Sequence, residues 1–187
     1  MRLFIAADLP EEMKLQISTL VDKFRSPIRS VKWVREENIH ITLYFLGEVA
    51  ESDIEELKEI IESAVSGMHP FFTKVGEISA FPSPRRPRVL WVGVNDPQQG
   101  LKSAYSAICD ALQKSDLEVH REKKDYTPHI TIGRVKGRFD RNIERILHTY
   151  QNQTFGEVHI KELVLFRSIL QREGPRYVPV HIFPLRS

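Results

Sequence analysis

Two short motifs in this 187-residue chain pair an imidazole with a hydroxyl: His40-Ile41-Thr42 and His129-Ile130-Thr131. On a β-strand, residues i and i+2 project from one face, roughly 7 Å apart. Strict alternation therefore puts His40, Thr42 and Tyr44 on one face and Ile41, Leu43 and Phe45 on the other. His129 and Thr131 separate from Ile130 and Ile132 in the same way. Imidazole exchanges a proton near neutral pH. A threonine hydroxyl can hold a non-bridging phosphate oxygen, where charge builds as phosphorus becomes five-coordinate. In-line displacement at phosphorus needs one proton-transfer group for the attacking water and a second for the leaving oxygen opposite. Two facing motifs supply both.

Seven His and seven Thr in a chain of this length give about 0.3 His-x-Thr triplets by chance. Requiring apolar residues at the second and fourth positions lowers that expectation several-fold, so two such motifs are not an accident of composition. The other histidines, His69, His120, His148, His159 and His181, lack repeated surroundings. No His-Glu-x-x-His cluster accompanies them, so neither a metal nor any other cofactor is expected. The chain also lacks a Gly-x-Ser-x-Gly elbow, a P-loop and an alternating run of histidines. Its single cysteine, Cys109, lies in a helical pattern beside Ile108 and Leu112 and reads as a packing residue.

The elements that must position the motifs follow from periodicity. Helical spacing joins Met13, Ile17, Leu20, Val21 and Phe24 after Pro10, which is expected in the first turn. A second helix carries Ile54, Leu57, Ile60, Ile61 and Ala64, with Ser52 and Glu55 expected to form a capping box. A third carries Leu101, Ala104, Tyr105, Ile108 and Leu112. A fourth carries Ile143, Ile146, Leu147 and Tyr150, with Asp140 as N-cap. Strand-like runs cover 2–7, 39–46, 71–78, 89–94, 129–135, 157–166 and 177–183. In each half a motif-bearing strand is followed by a break, an amphipathic helix and another strand. The motifs lie 89 residues apart, close to half the chain. This reads as a duplicated α+β unit with no flexible linker. The expectation is a single bilobal domain, 1–187, whose halves 1–95 and 96–187 are not independent and whose motifs face each other across a cleft with approximate two-fold symmetry.

Net charge is only +2, but basic residues cluster locally: Arg85, Arg86 and Arg88 in a Pro-rich loop, and Arg121, Lys123 and Lys124 before the second motif. Such patches suit an anionic ligand. No apolar run approaches a membrane span. A secretory leader would need a longer apolar stretch than Met1 to Ile5, so the cytoplasm is the expected location and no membrane partner is expected.

The motifs with their fourth residues, His40-Ile41-Thr42-Leu43 and His129-Ile130-Thr131-Ile132, resemble the signature of the 2H phosphoesterase superfamily. Within it the chain is similar to LigT-like RNA 2′,3′-cyclic phosphodiesterases. The similar segments are Arg2-Leu3-Phe4-Ile5-Ala6, Trp33-Val34 leading into Asn38-Ile39-His40, and Phe45-Leu46-Gly47-Glu48. Phe81-Pro82, Pro87-Arg88-Val89-Leu90-Trp91, Thr127-Pro128-His129 and Leu165-Phe166-Arg167-Ser168 extend the likeness over nearly the whole length. The resemblance implies a bilobal fold of two antiparallel sheets with flanking helices. It implies metal-free hydrolysis of RNA 2′,3′-cyclic phosphate ends, tRNA-derived ends among them, to 2′-phosphomonoesters. Minor reverse 2′-5′ ligation by a monomeric protein also belongs to the expectation.

It further implies that His40 is the proton donor and His129 the acceptor, a division on which the symmetry of the motifs is silent. Thr42 and Thr131 are expected to hold phosphate oxygens. Tyr44, on the motif face by alternation, is a candidate for stacking a base. Arg134 is a phosphate candidate, although strict alternation points it away from His129. Arg86, with Arg88, is a candidate for guiding an RNA backbone. Two other readings stand beside this one: a 2H phosphoesterase acting on a small cyclic nucleotide or a 2′-5′ oligonucleotide, and a non-catalytic RNA-binding module. Binding alone does not require two titrating imidazoles.

Overall fold

The computed structural model describes residues 1–122, 125–138 and 140–186; Lys123 and Lys124 lie outside them. Nine strands and four α-helices lie along these residues. In chain order they are β1 (Arg2–Asp8), α1 (Glu11–Arg25), β2 (Val31–Trp33), β3 (His40–Glu48), α2 (Ile54–Val65), β4 (Phe71–Phe81) and β5 (Val89–Asn95). After these come α3 (Gly100–Gln113), β6 (His129–Val135), α4 (Arg141–Tyr150), β7 (Thr154–Ile160), β8 (Glu162–Gln171) and β9 (Gly174–Pro184). They form two antiparallel sheets, one ordered β3-β1-β8-β9 and the other β2-β6-β5-β4-β7.

The apolar stripes fall where periodicity puts them. Met13, Ile17, Leu20, Val21 and Phe24 of α1 are buried, as are Leu101, Ala104, Tyr105, Ile108 and Leu112 of α3. Cys109 packs half-buried against the core, and burial pushes its thiol up, which leaves it a poor nucleophile.

The two halves interleave. One unit runs β1-α1-β3-α2-β4 and the other β5-α3-β6-α4-β8 with β7 inserted. In each, the first helix and the last strand cross to the opposite sheet. Helix α1 follows β1 of the first sheet yet packs on β2 and β7 of the second, while α3 follows β5 of the second and packs on β3 of the first. Likewise β4 joins β5, and β8 joins β1. Each sheet is therefore built from both halves of the chain.

Three local expectations need correction, and one strand lay outside them. The run 157–166 is two strands, not one. Ile160 pairs with Phe71 in one sheet, whereas Leu163 pairs with Phe183 in the other, with the break at Lys161. Burial changes with the strand: alternation up to Ile160 gives way to three consecutive buried residues, Leu163, Val164 and Leu165, which face cover on both sides. The capping box does not form, because Ser52 lies in a 3₁₀ turn before α2 and donates to the Asp53 carboxylate instead. Pro10 is the N-cap of α1, one residue outside its first turn. Finally, β2 is too short for periodicity to reveal.

Where α3 begins, its first residue abuts the other lobe. A Cβ on Gly100 would lie 2.2 Å from the Phe71 ring, whereas one on Gly67 would meet nothing within 4 Å. Gly100→Ala is expected to destabilise the fold by about 1–3 kcal/mol, and Gly67→Ala by less than about 0.5 kcal/mol. Urea unfolding of the two variants checks the difference.

Candidate active site

Each motif strand carries one extra residue just after its threonine. On β3, Thr42 pairs with Ala6 and Tyr44 with Ile5, leaving Leu43 as a β-bulge. On β6, Thr131 pairs with Trp91 and Gly133 with Leu90, leaving Ile132 as its counterpart. A bulge lets two consecutive residues point the same way. Leu43 and Tyr44 are both buried, as are Ile132 and Gly133. Beyond each bulge the alternation is reversed.

This reversal corrects two expectations. Tyr44 does not share the motif face. It is 2% exposed in the core, where its hydroxyl donates to the His120 carbonyl and accepts from the Glu122 backbone N–H. Phe45, 49% exposed and paired with Phe4, takes the motif face in its place. Arg134, which strict alternation turned away, comes round to the face of His129 and Thr131, opposite Val89. Phe45 and Arg134 thus occupy equivalent positions in the two repeats.

The histidines are held alike. His40 Nδ1 is 2.6 Å from the carbonyl of Asn38, and His129 Nδ1 is 2.7 Å from that of Thr127, in each case two residues back. A carbonyl only accepts, so each Nδ1 carries the proton and each Nε2 is left for chemistry. Nε2 of His40 lies 2.7 Å from Thr42 Oγ1. The motif strands bring their Cα atoms within 8 Å of each other, and the His129 charge acts on His40. Burial lowers the His40 pKa to about 4, opposed by the Asn38 hydrogen bond and by Asp8, and aided by Lys14 and His129.

Aromatic rings wall both imidazoles. His40 lies 5.1 Å from Phe4 and 5.3 Å from Tyr177, and Phe4 in turn stacks on Phe166. His129 meets Phe81 edge-on at 5.1 Å, with Trp91 behind it. Phe4, Ala6 and Val164 are buried yet stand apart from the main core cluster. They cover the face that the two sheets turn towards each other. Periodicity offered no sign of this wall, because its members come from β1, β4, β5, β8 and β9.

The outer edge of β3 is covered by the segment that leads to the second motif. His120 N–H donates to the Leu46 carbonyl, the Phe45 N–H to Glu122 Oε1, and the Tyr126 hydroxyl to the Thr42 carbonyl. Tyr126 stacks on Tyr105 at 4.7 Å. Arg121, expected in a basic patch, is instead bonded to the carbonyls of Leu112, Ser115 and Leu117 and secures the end of α3. Arg85, Arg86 and Arg88 are exposed in the β4–β5 connection. Val135 N–H bonds the Arg88 carbonyl, which puts this loop at the Arg134 end of the sheet rather than beside the histidines. Among the described residues no three His, Cys, Asp or Glu side chains gather as a metal site.

The His40 pKa bears on stability. It is depressed below the unfolded value of about 6.5, so the contribution is fully present above pH 6.5 and is lost as pH falls towards 4. Between pH 7 and 4.5 the wild type should lose more stability than His40→Gln, as read from urea midpoints. Equal losses would mean that His40 protonates without cost.

Comparison with known proteins agrees with this geometry. The family described as LigT like Phosphoesterase matches the chain twice, over residues 7–91 and 92–177. An RNA 2′,3′-cyclic phosphodiesterase of Methanothermobacter thermautotrophicus is 33% identical over 186 residues, covering 98% of each chain. A protein of the same name from Methanocaldococcus jannaschii is 37% identical over 180 residues, covering 95% of this chain and 96% of its own. Among solved structures, a Thermus thermophilus protein superposes with a TM-score of 0.84 at 28% identity, and E. coli LigT complexed with 3′-AMP with 0.80 at 25%. Both alignments cover 100% of this chain and 98% of the other. Two matches to one family, each carrying one bulged His-x-Thr strand, make this chain a member of the LigT-like 2H phosphoesterases.

Proposed function

We propose that the protein hydrolyses RNA 2′,3′-cyclic phosphate ends to 2′-phosphomonoesters without a metal, as a single bilobal unit. The observation that carries this reading is the matched pair of imidazoles, each with Nδ1–H fixed on a backbone carbonyl, which leaves Nε2 for proton transfer. The names of its archaeal relatives support the substrate class.

His129, neutral, takes a proton through Nε2 from the water that attacks phosphorus. His40, protonated, gives one through Nε2 to the departing 3′ oxygen as the P–O3′ bond breaks. The 2′-phosphate leaves, and solvent returns the proton from His129 to His40. Thr42 and Thr131 hold the non-bridging oxygens as charge accumulates there, and Arg134 lies on the same face to meet phosphate. Protonated His40 keeps its bond to the Asn38 carbonyl while presenting Nε2–H to the substrate. Its pKa of about 4 in the free protein means that the proton arrives together with the phosphate, whose negative charge favours the imidazolium.

A 5′-hydroxyl in place of water gives the minor 2′-5′ ligation. Arg86 and Arg88 lie where an RNA backbone leaving the Arg134 end would pass, and tRNA-derived ends fit this reading as substrates. No helix among the described residues is long and apolar enough to cross a membrane. We place the protein in the cytoplasm, acting as a monomer.

Incubation with cyclic-phosphate-ended RNA in EDTA should give full turnover and a 2′-phosphate product; a 3′-phosphate would reverse the leaving group. Replacing either His40 or His129 by Ala should lower kcat by about 10²–10⁴-fold. NMR titration of the His40 ring should show its pKa rising when a 2′-nucleotide is bound. A value that stays near 4 would exchange the roles of the two histidines.

A further inference from the structure

The two repeats hold their histidines alike but differ in what stands across the strand from each. On β1, Asp8 pairs with His40, two residues beyond the Ala6 that pairs with Thr42. On β5, the same step leads from Trp91, opposite Thr131, to Gly93, opposite His129. Antiparallel partners share a face, with Cβ atoms about 5 Å apart, so a carboxylate neighbours His40 where His129 has bare backbone. Gly93 has no room for a side chain: a Cβ there would lie 2.7 Å from the Gly76 carbonyl oxygen. The inequality is therefore built into the sheets.

The carboxylate is held in place. Asp8 Oδ1 accepts from the Leu9 backbone N–H at 2.9 Å and lies 2.8 Å from Lys14 Nζ. Lys14 comes from α1 with its side chain only 6% exposed, and Glu11, 3.2 Å away, is its second partner. A lysine buried so far is rare unless paired. Burial works against its charge, but Asp8 and Glu11 outweigh it and hold the ammonium above its ordinary range. Of the charges that bear most on His40 among the described residues, Lys14 and His129 of β6 oppose its imidazolium, and Asp8 favours it more strongly than either opposes. The rest of the ring's surroundings carry no net charge: the Asn38 carbonyl on Nδ1, Phe4 of β1 and the Tyr177 ring of β9.

We propose that Asp8, anchored by Lys14, is a positioning residue that favours the protonated form of His40 and so sets the direction of proton transfer between two otherwise equivalent motifs. This rests on the hydrolytic reading above and adds to it a cause for the division between donor and acceptor. The Asp8 charge acts with that of the bound phosphate to bring the proton to His40. Lys14 keeps the pair close to neutral, so the carboxylate does not repel the anion. The competing account is that Asp8 and Lys14 only clip β1 to α1, and it predicts a loss that is the same at every pH.

The test is the pH dependence of kcat on adenosine 2′,3′-cyclic phosphate in Asp8→Asn, which keeps an acceptor for the Leu9 N–H and removes the charge. The alkaline limb, on which protonated His40 is lost, should move roughly one pH unit towards acid. On that limb kcat should fall about tenfold below wild type and recover as pH is lowered across it; Asp8→Glu should restore the limb. The same loss at every pH overturns the proposal, and so does a shift of the acid limb in place of the alkaline one. If wild type does not turn over the cyclic phosphate, the hydrolytic reading fails instead. The part given to Asp8 is then decided by NMR titration of the His40 ring with adenosine 2′-phosphate bound, where an equal pKa in wild type and Asp8→Asn overturns it. Should the unpaired ammonium keep Asp8→Asn from folding, Asp8→Asn/Lys14→Met removes both charges. Because Asp8 outweighs Lys14 at His40, that double variant must shift in the same direction, and no shift overturns the proposal.

Discussion

One inserted residue in each motif strand governs what the site can present. Without the bulge at Leu43, strict alternation would carry Tyr44 into the space between the sheets and bury Phe45. Without its counterpart at Ile132, Arg134 would point into the core, where an unpaired guanidinium is excluded by its desolvation cost. The bulge lets one continuous strand serve two needs. Its first residues deliver imidazole and hydroxyl to one face, and the next two both anchor on the core. Beyond that anchor the strand returns a side chain to the motif face, and its chemistry is free to differ between the halves: a phenyl ring on one side and a guanidinium on the other. The two-fold symmetry is thus kept in the His-x-Thr pairs and broken beyond the bulges.

The bulged strands need external support, because a bulge interrupts the ladder that would otherwise hold them. On β6 that support is the sheet itself, since β2 and β5 flank it. On β3, an edge strand, it comes from the segment that approaches the second motif, through Glu122 on the Phe45 N–H and Tyr126 on the Thr42 carbonyl. Thr127, the next residue, fixes His129 through its carbonyl. One stretch of chain therefore secures the first motif and orients the second. Asn38 has a similar double function on the other side: its carbonyl holds His40, and its side-chain amide donates to the Pro175 carbonyl on β9. The strand that brings Tyr177 against His40 is tied down by the residue that sets the tautomer of His40.

Much of this was legible in the sequence, and the boundary is a physical one. The helices were visible because a stripe of period 3.6 is a local property, and Met13 to Phe24 satisfies it without reference to anything else. The site histidines were visible because duplication repeated them. Tyr44 and Arg134 were misplaced because periodicity has no means of registering a bulge, whose evidence is the pairing of one strand with its neighbour. The aromatic wall was hidden for a related reason. Phe4, Phe81, Trp91, Phe166 and Tyr177 are distant in sequence and become neighbours only through the order of the sheets.

The interleaving of the halves bears on how such a site keeps its geometry. Were each half a separate lobe, only an interface between them would set the distance between the histidines, and interfaces of that kind commonly allow relative motion. Here α1 and β4 leave the first half to become part of the second sheet, and α3 and β8 do the reverse. Separating the sheets would pull these segments out of a single continuous core that includes Leu3, Phe24, Leu101 and Phe183. Two proton-transfer groups acting on opposite sides of one phosphorus atom tolerate little drift, and effective positioning is lost within about 1 Å. Exchange of segments makes the spacing of the motifs a property of the core, and leaves variation to the residues beyond the bulges.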